Sequence, residues 1–196
     1  MSTRDTEVEA DRGAPVGQGS TDTSSTRPTL ARSGWRWLPL TLLLIFADQA
    51  TKAWIEARFE LYQSMPVLPV LDITRLHNPG AAFSFLADAG GWQRWFFTAL
   101  AFVVSAAIVF WLRRIDAAQQ RALAVGLALI VAGAVGNVID RLQHGFVIDF
   151  VHVHWGQAYF PAFNLADSAI SIGAALLLLD AWHEWRRERA AARGKR

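Results

Sequence analysis

The chain has 196 residues, of which 53% are hydrophobic and 12% aromatic, and its formal net charge is +2 at pH 7. It contains no cysteine, which excludes disulfide bonds, thiolate metal sites and a cysteine nucleophile. The apolar residues fall in long runs instead of an alternating soluble pattern, so the composition indicates a single membrane domain.

Residues 1–33 are rich in Ser, Thr, Gly, Asp and Arg and nearly lack large apolar side chains. Such a segment cannot bury enough surface to offset the entropy cost of ordering, so we expect a disordered cytoplasmic tail. Its start shows neither the apolar core nor the cleavage site of a signal peptide.

Four apolar segments follow, at residues 35–54, 95–112, 122–139 and 165–182. Each is close to the roughly 20 residues that a helix needs to cross the hydrocarbon layer of a bilayer. The third carries Ala128, Ala132 and Gly136, a four-residue spacing of small side chains that lets another helix approach closely. We therefore predict four transmembrane helices within a domain at residues 34–186.

The basic residues predict the orientation of these helices. Five basic residues lie in or beside the N-terminal tail, three lie between the second and third spans, and six follow the fourth span. With four spans these three segments lie on the same side of the membrane, so that side carries 14 of the 19 basic residues. Lys and Arg concentrate in cytoplasmic segments, so both termini should be cytoplasmic. Residues 187–196 should then form a basic cytoplasmic tail attracted to anionic lipid.

The two segments on the outer side read as strands. The stretch MPVLPVLDITRLHNPGAAFSFL alternates around Ile73 and breaks at Asn78, Pro79 and Gly80, which predicts strand, turn, strand. The stretch HGFVIDFVHVHW is rich in β-branched and aromatic residues, which favours another strand. The expected fold is a mainly α membrane protein of four helices with a small β-sheet on its outer face.

Polar residues gather at the outer ends of the spans and in the segments joined to them. An ionisable group within the membrane costs about 3 kcal/mol or more unless it is paired or hydrated, so such a concentration marks a candidate site. The set comprises Asp48, Lys52, Asn137, Asp140, Arg141, Asp149, Asn164 and Asp167.

Structural roles compete with functional ones for these residues. Asn164 could cap the fourth helix with Asp167 at its third position, a variant of the capping box. Asp140 and Arg141 could form an interfacial ion pair that closes the third span.

Two further pairs leave alternatives open. Asp48 and Lys52 have i, i+4 spacing and could neutralise each other, or Lys52 could attract a ligand carbonyl or carboxylate. His152 and His154 share one face of a predicted strand and could bind zinc, although solvated strand histidines explain them as well.

Asp149 and Asp167 offer a catalytic reading if the outer strand folds back onto the helix ends. Two carboxylates in a partly desolvated pocket cannot both ionise easily, so they hold one proton between them. The ionised partner can then activate water while the protonated partner polarises a peptide carbonyl. A proton-coupled transporter and a non-catalytic lipid-binding scaffold are the alternative classes.

Four blocks in order, DQATK, HNPGAAFSF, GNVIDRLQHGFVIDF and FPAFNLADSAI, closely resemble the lipoprotein signal peptidase family, also called signal peptidase II. The resemblance covers about residues 35–185. It implies a bacterial intramembrane aspartic endopeptidase with an outer β-cradle on four helices, and with Asp149 and Asp167 as the catalytic pair. It implies no metal or organic cofactor.

The same resemblance implies the substrate and its contacts. The substrate would be a diacylglyceryl-modified prolipoprotein, cleaved just before the lipidated lipobox cysteine. The residues that would bind it or support its pocket are Asp48, Lys52, Asn78, Gly80, Gly133, Asn137, Arg141 and Asn164. We expect a monomer in the bacterial inner membrane that contacts lipid, binds no nucleic acid and carries its site near the outer face.

Overall fold

The computed structural model describes residue 29 and the ranges 32–80 and 91–194. The predicted N-terminal tail lies almost entirely outside these residues. A 3₁₀ helix, Gly34–Trp37, precedes α1 (Leu38–Arg58), β1 (Ser64–Leu68), β2 (Leu71–Asn78), α2 (Trp92–Leu112), α3 (Arg121–Gln143), β3 (Val147–Trp155), β4 (Ala158–Tyr159) and α4 (Leu165–Arg193).

Helices form at all four predicted spans, but they differ in apolar character. In the described part of the chain, three helices are long and apolar enough to cross a membrane, namely α2, α3 and α4. Helix α1 has the same length as α2, yet Asp48, Gln49 and Lys52 in its second half lower its hydropathy. Length and composition therefore establish three candidate membrane helices.

The helix boundaries differ from the predicted ones by a few residues in α1, α2 and α3, and by a longer extension at the end of α4. Helix α1 begins at Leu38 because the preceding residues form the 3₁₀ turn and a proline occupies its first turn, where the missing N–H costs nothing. Helix α4 continues past the predicted end at residue 182 to Arg193. Its last turns are rich in Ala, Glu and Arg, all good helix formers, so most of the predicted tail 187–196 is helical.

Helix α3 packs against the other three helices, and its small residues permit the close contacts. A Cβ at Gly126 would lie 2.8 Å from the Gly173 carbonyl oxygen of α4, and one at Gly133 would overlap the Ala166 carbonyl oxygen. Ala128, whose carbonyl accepts a hydrogen bond from Thr41 of α1, is also buried, as its spacing predicted.

The four strands form one antiparallel sheet in the order β1-β2-β3-β4. Strand β2 ends at Asn78 as predicted, but the turn that joins β1 to β2 lies between Leu68 and Leu71, earlier than expected. A proline at position 69 cannot donate to a strand ladder, which explains the break there. The second predicted strand of this segment, residues 81–86, falls outside the described residues.

The sheet is attached to the helices through the first half of β3. Residues Val147 to Phe150 are buried, whereas the second half of the strand is more exposed. Ile148 and Phe150 pack with Ile55 and Phe59 at the end of α1. This contact brings Asp149 to the level at which α4 begins.

Candidate active site

Asp149 is the third residue of β3 and only 2% exposed. Its two carboxylate oxygens each accept a hydrogen bond from an amide side chain: Asn78 Nδ2 donates to Oδ2 at 3.0 Å and Asn164 Nδ2 donates to Oδ1 at 2.8 Å. The pairing of β2 with β3 places Asn78 opposite Val147, two residues from Asp149. The register of the sheet therefore places the donor Asn78 beside Asp149.

Asp167 occupies the third position of α4 and completes a capping box with Asn164. The Asp167 N–H donates to Asn164 Oδ1 at 2.9 Å, and the Asn164 N–H donates to Asp167 Oδ2 at 3.3 Å. Asn137 Nδ2 donates to the other oxygen, Oδ1, at 2.8 Å. The predicted cap is thus present, and it holds the Asp167 carboxylate in a defined orientation.

Asn164 joins the two aspartates into one network. Its side chain donates to Asp149 while its backbone N–H donates to Asp167, and it is fully buried. Asn137 contributes a second link, because its Oδ1 accepts from Asn164 Nδ2 at 3.2 Å and its Nδ2 donates to Asp167. The structure therefore brings both aspartates and both asparagines together.

Burial, followed by the nearby charge of Asp167, raises the pKa of Asp149 to about 7. The hydrogen bonds from Asn78 and Asn164 and the charge of Lys52 oppose this rise without cancelling it. Asp149 can therefore hold a proton near neutral pH. This is the behaviour expected of two neighbouring carboxylates that share one proton.

A cavity of about 580 Å³ adjoins this network. Asp167, Asn78, Gly80 and Arg141 lie on its wall, whereas Asp149 contacts it through Asn78. The rest of the wall is largely apolar and includes Phe97, Phe160, Phe163 and Ile172. Such a lining suits an apolar ligand with a few polar groups.

Arg141 and Gly80 shape one side of the cavity around Phe97. The Arg141 guanidinium lies 5.5 Å from the Phe97 ring centroid, and its buried Nε has no hydrogen-bond partner among the described residues. Gly80 has a φ of 105°, and a Cβ there would lie 3.3 Å from the Phe97 ring. A side chain at position 80 would be strained and would crowd the ring.

Other predicted site residues lie away from the cavity wall. Gly133 is at the contact between α3 and α4, so its location is that of a packing residue. Asp48 and Lys52 are buried and pair with each other at 2.8 Å, which favours the reading of mutual neutralisation over direct ligand contact.

The suggested ion pair between Asp140 and Arg141 is wrong. Asp140 pairs instead with Lys52 at 2.8 Å, while Arg141 Nη1 donates to the Asn137 carbonyl and its guanidinium lies over Phe97. Adjacent residues on a helix point about 100° apart, so the two side chains serve different neighbours.

Sequence reasoning missed several cavity residues. Ser168 and Ser171 of α4 line the cavity, and the spacing of four residues from Asp167 to Ser171 could have indicated a shared face. Phe97 lies in the second turn of α2 among other aromatic residues, and nothing in the sequence separates it from lipid-facing aromatics.

His152 and His154 both lie against Tyr159, with ring centroids 4.7 and 5.0 Å apart, respectively. His154 Nε2 is 3.4 Å from Asp72 Oδ1. Among the residues that the structure describes, no three His, Cys, Asp or Glu side chains are grouped so as to hold a metal ion. The contacts of these histidines are those of side chains on a sheet surface.

Comparison with known proteins identifies relatives of this chain. Residues 40–183 match the family model described as Signal peptidase (SPase) II. A lipoprotein signal peptidase of Shewanella woodyi is 52% identical over 148 residues, covering 76% of this chain and 84% of that protein. A lipoprotein signal peptidase of Shewanella baltica is 48% identical over 162 residues, covering 83% of this chain and 94% of that protein.

The fold is similar to that of a bacterial membrane enzyme solved by the in meso method at 2.3 Å resolution, with a TM-score of 0.67 and 31% identity. The match covers 76% of this chain and 89% of that one. These relatives give no support to the transporter alternative. By its family match, by its relatives at about half identity and by its fold, the chain belongs to the signal peptidase II family.

Proposed function

We propose that this chain is an aspartic endopeptidase that removes signal peptides from diacylglyceryl-modified prolipoproteins, cleaving just before the lipidated cysteine. The observation that carries the proposal is the pair Asp149 and Asp167, joined through Asn164 beside a largely apolar cavity. A lipidated substrate resides in the bilayer, so it can reach such a cavity directly.

Asp149 and Asp167 have different roles in the proposed reaction. Asp149, which holds a proton near neutral pH, donates a hydrogen bond to the scissile carbonyl oxygen and makes the carbonyl carbon more electrophilic. Asp167 lies at the electropositive start of α4, a position that suits a carboxylate, and removes a proton from the attacking water.

The oxygen of that water then bonds to the carbonyl carbon, and the carbonyl oxygen takes the proton of Asp149. Collapse of this tetrahedral intermediate breaks the C–N bond. The proton held by Asp167 passes to the leaving amine, and Asp149 recovers its proton from the intermediate's hydroxyl. The dyad thus ends with the single proton that it had at the start.

Substrate binding falls to the cavity wall. Arg141 lies on this wall and carries a guanidinium whose fork suits carbonyl or ester oxygens. Asn78 and Gly80 face the same space, and the phenylalanines offer apolar surface to acyl chains and to the small lipobox residues. Gly133 supports the wall indirectly, by keeping α3 and α4 close.

We propose that α1 is the fourth membrane span. Its Lys52 is buried in ion pairs with Asp48 and Asp140, so these charges do not face lipid. Four spans with cytoplasmic termini place the sheet and the dyad near the outer face of the bacterial inner membrane, as the distribution of basic residues predicts.

The test uses the purified Asp149→Asn and Asp167→Asn variants with a diacylglyceryl-modified prolipoprotein. Each replacement keeps the shape of the side chain but removes proton exchange, so we expect kcat to fall at least about 10³-fold. Asp116→Asn, in an exposed ion pair with Arg32, is the matched control and should cleave normally.

An unmodified prolipoprotein serves as the second control in the same assay. The proposal requires product from the modified substrate alone, because the acyl chains supply the binding to the apolar cavity. Full cleavage by either aspartate variant, or equal cleavage of both substrates, contradicts it.

A further inference from the structure

A second group of charged side chains lies behind the dyad and away from the cavity wall. Asp48, Lys52 and Asp140 are each buried, and Lys52 Nζ lies 2.8 Å from Asp48 Oδ2 and 2.8 Å from Asp140 Oδ2. Asp48 and Lys52 come from α1, whereas Asp140 comes from the end of α3. We refer to these three residues as the buried triad.

Each carboxylate of the buried triad also holds a main-chain amide next to the dyad. The Ala166 N–H donates to Asp48 Oδ1 at 2.9 Å, and Ala166 immediately precedes Asp167. The Ile148 N–H donates to Asp140 Oδ2 at 3.1 Å, and Ile148 immediately precedes Asp149. The triad therefore bonds to both segments that carry the catalytic carboxylates.

Lys52 makes a third contact that orients Asn137. Its Nζ donates to Asn137 Oδ1 at 3.1 Å, and Asn164 Nδ2 donates to the same oxygen. An amide oxygen so occupied leaves the Asn137 NH₂ group to point the other way, where it donates to Asp167 at 2.8 Å. The Lys52 cation thus determines which end of Asn137 faces the dyad.

The surrounding residues are arranged to admit the triad. A Cβ at Gly136 would lie 2.6 Å from Asp48 Oδ2, so only glycine leaves room for this carboxylate against α3. Gln49 Nε2 donates to Asp140 Oδ1 at 2.9 Å and to Asp48 Oδ2 at 3.2 Å. Both carboxylates are therefore held from two sides.

Stability alone is a poor explanation for this arrangement. Burying three charges is expensive, and a well-packed apolar replacement of a buried ion pair is often as stable or more so. What apolar side chains cannot do is accept the Ala166 and Ile148 amide protons and join the two acceptors through one cation. The triad therefore fixes the positions of the Ala166 and Ile148 amides relative to each other.

We propose that Asp48, Lys52 and Asp140 form a positioning clamp that holds Asp149 and Asp167 at the separation needed to share one proton. The clamp lies off the cavity wall and acts through the amides of Ile148 and Ala166 and through Asn137. This inference rests on the proposed peptidase function of the dyad.

Two variants test the clamp. Lys52→Met removes the cation, and the double variant Asp48→Asn with Lys52→Met removes the cross-link while leaving the net charge of the triad unchanged. We expect kcat per folded molecule to fall about 10²-fold with KM changed less than about threefold, because misplacing catalytic groups by about 1 Å has effects of that size. Asp116→Asn, at the exposed Arg32 pair, is the matched control and should retain wild-type kcat.

The pH profile of kcat distinguishes positioning from a purely structural role. The Lys52 charge lowers the pKa of Asp149, so its removal should move the basic limb of the profile to higher pH. If Lys52→Met does not fold, the charge-balanced double variant carries the same test. The clamp is contradicted by a variant that folds, keeps the wild-type kcat and shows the basic limb of its pH profile at the same pH as the wild type.

The outcome also separates this inference from the function on which it rests. Cleavage by the wild type together with full activity of both triad variants overturns the clamp alone. A wild-type protein that leaves the modified prolipoprotein uncut overturns the proposed function, and the clamp with it.

Discussion

Asn164 serves two structures at once. It begins α4 as the N-cap, and its side-chain NH₂ donates to Asp149 of the neighbouring sheet. The capping geometry and the dyad geometry are therefore set by the same amide. A helix cap that looks structural in the sequence thus also links the two carboxylates through hydrogen bonds.

Substitution at Asn164 can separate these roles. Asn164→Ala removes both, so we expect a loss of about 1 kcal/mol in unfolding free energy and at least about 10²-fold in kcat. Asn164→Ser restores a good N-cap without an NH₂ donor, so it should recover stability but not activity. Thermal unfolding in detergent and prolipoprotein cleavage measure the two effects, and recovery of activity by the serine variant contradicts the bridging role.

The pH dependence of cleavage follows from Asp149. Its pKa is raised to about 7, so its proton is present below that value and lost as the pH rises through it. We expect kcat to decline above pH 7 in the wild type. Asn78 donates to the ionised form and so lowers the pKa of Asp149; Asn78→Ala should therefore shift the decline to higher pH. A pH-rate profile that is flat to pH 9 contradicts this assignment.

At the scale of elements, the contact of α3 with α4 fixes the position of the start of α4, where Asp167 lies. The two helices approach so closely at Gly133 that the neighbouring backbone carbonyl of Ala166 leaves no room for a side chain. Ala166 precedes Asp167, so the helix spacing and the position of the carboxylate are coupled. Small residues in this helix pair thus influence the position of the Asp167 carboxylate in addition to allowing close packing.

Gly133→Ala tests this coupling. The added methyl group must push α4 away, so we expect a loss of about 1–3 kcal/mol in stability, as for other overpacked contacts, together with reduced kcat. Gly194→Ala is the control, because a Cβ there meets nothing nearer than 3.8 Å. Wild-type unfolding temperature and kcat in the Gly133 variant contradict the predicted coupling.

At the scale of the whole molecule, the helices and the sheet each contribute part of the candidate site. The helices supply Asp48, Lys52, Asn137 and Asp167, and the sheet carries Asp149 over to them through the buried half of β3. Neither part contains a complete dyad. The proposed activity therefore requires docking of the sheet onto the helix ends.

The absence of cysteine from the chain makes its topology directly testable. Trp155, at the end of β3, is 83% exposed, and Gly194 follows α4. In intact spheroplasts, a membrane-impermeant maleimide should label Trp155→Cys and spare Gly194→Cys; inverted vesicles should show the reverse. Labelling of both from one side rules out the proposed orientation.

Local patterns predicted much of this protein. Apolar runs of membrane length located all four helices, β-branched and aromatic runs located β3, and Asn164 with Asp167 indicated the capping box. These features depend on residues near each other in the chain. Two features were missed. The proline at position 69 ends β1 earlier than the strand-like pattern suggested, and the helix-forming residues after position 182 extend α4 beyond its apolar run.

The sequence by itself determined the residue types of the candidate site and, through its motifs, the family. Only the tertiary structure decided which partners meet: Asp140 with Lys52 instead of Arg141, Asp149 with Asp167 through Asn164, and Gly133 against Ala166. The physical reason is that pairings across 15 to 118 residues depend on helix rotation and strand register. Those are set by packing of the whole fold, which periodicity along the chain does not encode.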